Sequence, residues 1–194
     1  MGIRTRIFFI TLSCLFVGIS LSFIVAERDL SIKLQAQIET ELSRQAKILR
    51  KSISGLIDSG DLVALKSEAD EYASASDSRI TIILKNGDVI VDSDIEASRI
   101  NDLDNHSDRP EIISAFNNGY GSSKRFSSTV KKEMFYFALL DKTNNQERVI
   151  RISVPYESLD QVLASLGNSI TLIVVVGLIV AILASVLAGD YIRA

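Results

Sequence analysis

Two uncharged apolar runs, one near each end of the chain, limit its organisation more than any other feature. The first is Ile7–Ala26 and the second is Ile170–Ala188. An α-helix rises about 1.5 Å per residue, so about 20 residues cross the ~30 Å hydrocarbon layer of a membrane. A helix also satisfies its backbone hydrogen bonds internally, as lipid requires. The pattern predicts transmembrane helices over residues 7–26 and 170–188.

The flanks of the two runs predict an orientation. The first run is longer than the roughly 7–15 apolar residues of a signal peptide and lacks an A-x-A site, so we interpret it as an uncleaved anchor. Arg4 and Arg6 precede the first run, and Arg193 follows the second. Because cationic flanks stay in the cytoplasm, we expect cytoplasmic ends at 1–6 and 189–194. Residues 27–169 are then an extracytoplasmic domain of a two-pass protein of the cell membrane.

The charge balance argues against nucleic acid as a partner. The chain has 21 Lys and Arg against 24 Asp and Glu, a formal net charge of −3. A basic surface would be needed to bind a polyanion. The single cysteine, Cys14, lies in the first apolar run, so a disulfide within one chain is impossible.

The outer domain is predicted to start with a long helix over residues 27–58. Asp29 and Lys33 are spaced for an i,i+4 ion pair. An apolar stripe recurs at steps of three and four, at Leu34, Ile38, Leu42, Ala46, Leu49, Ile53 and Leu56. The stripe either packs on its own domain or forms a seam with a second chain, and the pattern leaves both possibilities open.

The region 79–155 is predicted to form a five-stranded antiparallel sheet with helices before and between the strands. Asn86-Gly87 joins two β-branched runs and indicates a hairpin with a type I′ turn. A short helix is expected near Pro110–Asn117. The expected fold class is therefore α+β, with the sheet covered on one side.

The stretch between Asn105 and Ser123 contains the only histidine, His106. Acidic residues alternate around it at Asp102, Asp104 and Asp108, but the glycine and terminal glutamate of an EF-hand loop are missing. We interpret the stretch as a solvated loop and expect no metal, cofactor or catalytic centre. Asp108 is expected to cap the next helix with Glu111 reaching back, Pro110 in the first turn and Gly119 at the end.

Three segments of the predicted domain carry a family resemblance: "DSRITIILKNGDVIVDS", "NHSDRPEIISAFNNGYGSSKRFSSTVKKEMFYFALL" and "RVIRISVPYESLDQVL". They resemble the sensor region of bacterial two-component sensor histidine kinases of the phosphate-regulon and cell-wall-regulator type. The resemblance implies a PAS-like fold of the Cache (PDC) type, with a long helix leading into a five-stranded sheet. It also implies a homodimer, a HAMP linker, a kinase region beyond Ala194 and a partner response regulator.

The chain itself is not expected to be an enzyme. A histidine kinase needs a phospho-accepting histidine and an ATP-binding region, and His106 lies in the predicted outer domain. We therefore expect the chain to be the input part of a kinase that senses signals outside the cell and transmits them across the membrane. Chemotaxis receptors and membrane cyclases use the same kind of input. A structural or adaptor membrane protein that binds an envelope partner is the other alternative.

Candidate ligand-binding residues come from the predicted strands. Tyr136 and Arg151, if they face the covered side of the sheet, could hold a small molecule through an anionic or carboxylate group, with Arg125 and Asp92 as further candidates. Arginine more often lies on a solvated face, which is the simpler interpretation of Arg151. A protein of the envelope is the alternative ligand.

Small residues recur every four positions in both apolar runs. In the first run they are Cys14, Gly18, Ser22 and Ala26, and in the second they are Gly177, Ala181, Ser185 and Gly189. Such stripes let helices approach closely, so we expect a four-helix bundle in a homodimer. A second amphipathic helix, with Leu159, Val162, Leu163 and Leu166, would connect the domain to the second run. A change in domain shape would then shift one helix against the other.

Overall fold

The computed structural model describes residues 3–128, 130–143, 146–156, 167, 171–179 and 182 of the chain. The chain divides into two compact units, of which one is Gln35–Ser158 and the other consists of the remaining residues. The unit Gln35–Ser158 contains the sheet and is called the sheet unit below.

The described elements follow one another from residue 3 to residue 155. They are α1 (Ile3–Ser59), α2 (Leu62–Ser76), β1 (Arg79–Leu84), β2 (Val89–Asp92), a 3₁₀-helix (Ala97–Asp102), α3 (Pro110–Asn118), β3 (Tyr120–Ser127), β4 (Lys132–Thr143) and β5 (Gln146–Pro155). The strands form one sheet in the order β2-β1-β5-β4-β3, with every neighbouring pair antiparallel. The predicted long N-terminal helix and five-stranded antiparallel sheet are confirmed.

The sheet is covered on both faces, so the prediction of a single covered face is wrong. β4 is buried without interruption from Met134 to Asp141. One face packs against α3, through a core cluster that includes Ile112, Ala115, Ala138 and Val149. The alternate residues, such as Phe135, Phe137, Ile150 and Ile152, are buried on the opposite face. Continuous apolar runs are typical of strands that are buried on both sides.

The apolar stripe of α1 packs within the sheet unit over its central turns. Leu42, Ala46, Leu49 and Ile53 are all buried, and the Tyr72 hydroxyl of α2 donates a 3.1 Å hydrogen bond to the Gln45 carbonyl of α1. The first of the two interpretations of the stripe is therefore confirmed for these residues. The expected Asp29–Lys33 ion pair is present at 2.7 Å. Dimerisation through this helix stays a prediction.

α3 lies very close to the edge strand β3, and a glycine permits this approach. A Cβ added to Gly121 would lie 2.4 Å from the carbonyl oxygen of Glu111 and 2.6 Å from Ser114 Cβ. Pro110 occupies the first turn of α3, and Gly119 ends it with a φ of 88°, as predicted. The predicted cap is wrong, because Arg109 is the N-cap residue and makes no capping hydrogen bond. Glu111 points into the protein instead and is fully buried.

The prediction of a two-pass membrane protein with both termini in the cytoplasm and an extracytoplasmic sensor domain is corrected. Over the residues that the structure describes, no helix is both long enough and apolar enough to cross a membrane.

The predicted helix-packing residues are only partly described. Gly18, Ser22 and Ala26 lie exposed in α1, and Gly177 lies exposed in the helix 171–179. A Cβ on Gly18 or on Gly177 would meet no atom of the described residues within 4 Å. Ala181, Ser185, Gly189 and the predicted amphipathic helix at 159–166 lie outside the described residues. Close helix packing through these stripes stays a prediction.

Candidate functional site

The strand register places polar residues of three strands, β2, β1 and β5, in one row across the face that α3 covers. Thr81 of β1 pairs with Asp92 of β2 on one side and with Arg151 of β5 on the other. Arg151 pairs in turn with Ala138 of β4. Next to this row, Tyr136 of β4 pairs with Ser123 of β3. Alternate residues of a strand share one face, so the register alone brings these side chains together.

Glu111 of α3 lies over this row of side chains, on the face of the sheet that α3 covers. Its Oε1 accepts a 2.9 Å hydrogen bond from Arg125 Nη2 and a 3.4 Å bond from Arg151 Nη1, and its Oε2 accepts a 2.6 Å bond from the Ser123 hydroxyl. Glu111 and Arg151 are 0% and 2% exposed. One buried carboxylate therefore serves two guanidinium groups, which leaves an excess of positive charge.

The two arginines also lie near the same aromatic ring. The guanidinium carbon of Arg125 is 4.0 Å from the ring centre of Tyr136, and that of Arg151 is 5.0 Å away. A cation near the face of an aromatic ring is attracted to the negative face. Tyr136 therefore helps to hold two like charges close together.

A second buried ion pair is attached to the same row. Asp92, which is 0% exposed, accepts hydrogen bonds from Arg79 Nε at 2.9 Å and from Arg79 Nη2 at 2.9 Å. It also accepts a 2.9 Å bond from the Thr81 hydroxyl. Thr81 Oγ1 accepts a 3.1 Å bond from Arg151 Nη2. Thr81 thus connects the Arg79–Asp92 pair to the Arg151–Glu111 pair in one network.

A small, partly open cavity of about 20 Å³ lies beside this network. Its lining includes four arginines, one tyrosine and the single histidine: Arg79, Arg109, Arg125, Arg151, Tyr136 and His106. We call it the arginine cavity. Four surface clefts of about 680, 640, 340 and 320 Å³ are larger. Of the described buried polar atoms without a hydrogen-bond partner, only the uncharged Ser153 Oγ belongs to a residue that lines one of them, the cleft of about 340 Å³.

Three nitrogens of cavity-lining residues have no hydrogen-bond partner among the described residues. They are Arg151 Nε, Arg109 Nε and His106 Nδ1, all of them buried. Arg109 Nε lies 3.5 Å from the carboxylate of the exposed Asp108. Buried polar groups are nearly always hydrogen-bonded, and an unpaired one is expensive. The two arginine Nε–H donors left free beside an excess of positive charge are suited to receiving an anion.

The electrostatics of the cavity favour a neutral histidine among charged arginines. Burial, together with the nearby charges of Arg151 and Arg109, lowers the pKa of His106 to about 4. Burial also lowers the pKa of Arg151 to about 10, which leaves it protonated at neutral pH. Burial acts to raise the pKa of Glu111, but hydrogen bonds from Arg125 and Ser123 outweigh it, so the net shift is downward.

The lowered pKa of His106 predicts a loss of stability in mild acid. An unfolded histidine titrates near 6.5, so between pH 6.5 and about 4 the unfolded chain binds more protons than the folded one. Stability is therefore complete above pH 6.5 and falls as the pH falls toward 4. Discounted for the partly exposed ring, we expect a loss of about 1 kcal/mol between pH 7 and pH 5.

Urea unfolding at the two pH values measures this loss. Because the chain has one histidine, His106→Gln should remove most of the difference between pH 7 and pH 5. An equal difference in wild type and variant would show that other groups cause it.

Three of the four predicted ligand residues line the cavity, and the fourth contacts a residue that lines it. Tyr136, Arg125 and Arg151 line it, and Asp92 lies behind Arg79. The solvated position favoured for Arg151 is wrong, since the residue is buried. Sequence reasoning missed Glu111, Thr81, Arg79 and Arg109. Glu111 could have been found from its position four residues before the buried Ala115, on the same face of α3.

Comparisons with known proteins show a shared fold. No protein-family model matches the chain, and no curated protein sequence matches it. The sensory domain of the Campylobacter jejuni chemoreceptor Tlp3, solved with isoleucine bound, is 15% identical and superposes with a TM-score of 0.51, covering 76% of this chain and 65% of that one. The ligand-binding domain of the same chemoreceptor with L-valine has a TM-score of 0.52 at 15% identity, covering 76% of this chain and 66% of that one.

A weaker similarity connects the chain to a kinase sensor. The sensor domain of the Vibrio cholerae histidine kinase DctB has a TM-score of 0.45 and 14% identity, with 66% of this chain and 60% of that one covered. The chain spans less than two thirds of the length of all three solved domains. The phosphate-regulon type expected from the sequence stays a prediction. The sheet unit has the fold of a bacterial sensory domain.

Proposed function

We propose that the sheet unit is the sensory domain of a bacterial receptor and that it binds a small molecule through a carboxylate group in the arginine cavity. The observation that carries the proposal is that four arginines line the cavity and that two of them, Arg151 and Arg109, have a buried Nε–H without a hydrogen-bond partner among the described residues. A guanidinium presents its N–H groups in a planar fork that matches a carboxylate. The similarity in fold to chemoreceptor domains solved with isoleucine and L-valine supports this choice.

The sensory role and the output of the receptor that contains this domain are supported by different observations. The sensory role rests on the cavity and the fold. Because the sequence resembles the sensor region of histidine kinases, the output is proposed to be a histidine kinase. The kinase would form a homodimer and act on a response regulator. A chemoreceptor output agrees equally well with the solved neighbours. The cavity provides a ligand site that a purely structural protein would not need.

Binding measurements on the full chain test the ligand site. Acetate, L-valine, L-isoleucine and phosphate are titrated at millimolar concentration while the Arg Nε–H resonances are followed by NMR. We expect at least one carboxylate to bind and to shift the Arg151 resonance. Arg151→Met should weaken that binding by roughly 30-fold to 1000-fold, because it removes a buried charge that contacts the ligand.

Arg148→Met is the matched control. Arg148 is also a buried arginine of β5, bonded to Asp141 at 2.9 Å, and it does not line the arginine cavity. Its replacement should leave the affinity unchanged. Failure of all carboxylates to bind, preferential binding of phosphate, or equal losses in the two variants would contradict the proposal.

A further inference from the structure

The arginine cavity is too small for the proposed carboxylate ligand. At about 20 Å³ it has room for about one water molecule, which needs roughly 10–15 Å³ on the same measure. Acetate is larger than water, and an amino acid is larger still. One wall of the cavity must therefore move before a carboxylate can enter.

The walls of the cavity differ in how firmly they are held. Arg79, Tyr136 and Arg151 belong to β1, β4 and β5, which are the three inner strands of the sheet and are hydrogen-bonded on both sides. The opposite wall comes from residues 103–109, between the 3₁₀-helix and α3, a segment without helix or strand. It contributes Leu103, Asp104, His106 and Arg109 to the lining, so one carboxylate lies among the lining arginines. We call residues 103–109 the lid.

The lid is fastened to the tip of the β1–β2 hairpin by three hydrogen bonds. The His106 backbone N–H donates to the Gly87 carbonyl at 2.9 Å. The Asn105 side-chain amide donates to the Asn86 carbonyl at 2.9 Å and to Asp88 Oδ1 at 3.0 Å. We call this set of bonds the latch. Asn105 is exposed and does not line the cavity, so it acts on the site only through the lid.

The latch requires a glycine at position 87. Gly87 has a φ of 89°, and a Cβ there would lie 2.2 Å from Asn105 Oδ1 and 2.5 Å from the Ser107 nitrogen. The turn is also not of type I′, which needs positive φ at two residues. Gly87 alone has it here, and Gly87 N–H donates to the Leu84 carbonyl at 2.9 Å. The hairpin tip is thus shaped to receive the lid.

We propose that the lid is a ligand-controlled gate, which the latch holds closed in the ligand-free domain and which a bound carboxylate holds open. The proposal rests on the arginine cavity being the ligand site. Because a ligand binds only the open form, its apparent affinity is reduced by the fraction of molecules that are open. Occupancy of the cavity is thereby coupled to release of the β1–β2 hairpin tip, which is how binding would be read by the rest of the receptor.

Asn105→Ala in the full chain tests the gate, because it removes two of the three latch bonds. The loss of two hydrogen bonds is expected to increase the fraction of open molecules by roughly 5-fold to 100-fold. Hydrogen exchange of the His106 amide, measured by NMR without ligand, should accelerate by that factor. The dissociation constant of acetate, measured from the Arg151 Nε–H resonance, should fall by the same factor.

Two further variants complete the experiment. Gly87→Ala should act in the same direction, since its Cβ occupies the place of the Asn105 side chain. Asn118→Ala is the matched control, because it deletes an amide that donates to Ser114 within α3, away from the latch. It should change neither the exchange rate of His106 nor the affinity for acetate.

The outcomes separate the gate from the ligand site. Unchanged His106 exchange in Asn105→Ala, or faster exchange with weaker acetate binding, overturns the gate while leaving the site intact. Faster exchange with no binding of acetate, L-valine or L-isoleucine in any variant overturns the proposed function and the gate with it.

Discussion

Replacement of Glu111 with alanine is expected to destabilise the sheet unit by about 3–5 kcal/mol. The carboxylate is fully buried and compensates the charges of Arg125 and Arg151 while accepting a bond from Ser123. Its removal leaves Arg151, itself buried, without a carboxylate partner among the described residues. The cost of an uncompensated buried charge, more than the loss of any single bond, sets the size of the effect. Urea unfolding measures it.

A surface glutamate with a similar number of partners provides the control. Glu41 of α1 accepts hydrogen bonds from Arg44 and Gln45, but it is exposed to solvent. Glu41→Ala should change the stability too little to measure, since surface ion pairs contribute little. Glu111→Gln keeps the shape of the side chain and should fall between the two. Similar losses for Glu111→Ala and Glu41→Ala would mean that Arg151 finds compensation elsewhere.

Glu111 also shows where the sequence was sufficient and where it was not. The capping box was predicted from neighbouring residues alone, since a glutamate three residues after an aspartate is common at the start of a helix. The observed role depends on which face of α3 meets the sheet and on the two arginines that β3 and β5 place beneath it. Neither arrangement is visible in the spacing of residues along the helix.

The fold was easier to predict from the sequence than the site, because helices and strands produce periodic patterns of apolar residues. The step of three and four along α1 correctly identified its buried residues. Burial on both faces was missed, since the covering elements come from distant parts of the chain. Arg151 was assigned to solvent for the same reason. A lone arginine in a strand is usually exposed, and only the register reveals Thr81 and Glu111 as its partners.

Asp92 is the second position where a single change should have a large effect. Asp92→Ala removes the carboxylate that accepts from both Arg79 and Thr81 and leaves the guanidinium of Arg79 buried. We expect a loss of about 3–5 kcal/mol, as for other broken buried pairs. Asp94→Ala is the matched control. Asp94 lies 3.7 Å from the same Arg79 but is largely exposed, so its loss should be much smaller.

A double variant separates the energy of the ion pair from the cost of breaking it. Replacing a buried pair with apolar residues of similar volume is often neutral. Arg79→Met combined with Asp92→Leu should therefore recover at least half of the stability that Asp92→Ala loses, as measured by urea unfolding. Thr81 would keep its bond from Arg151 Nη2, so the cavity wall should persist and acetate should still bind. A double variant as unstable as Asp92→Ala would show instead that the Arg79–Asp92 pair itself holds β1 and β2 together.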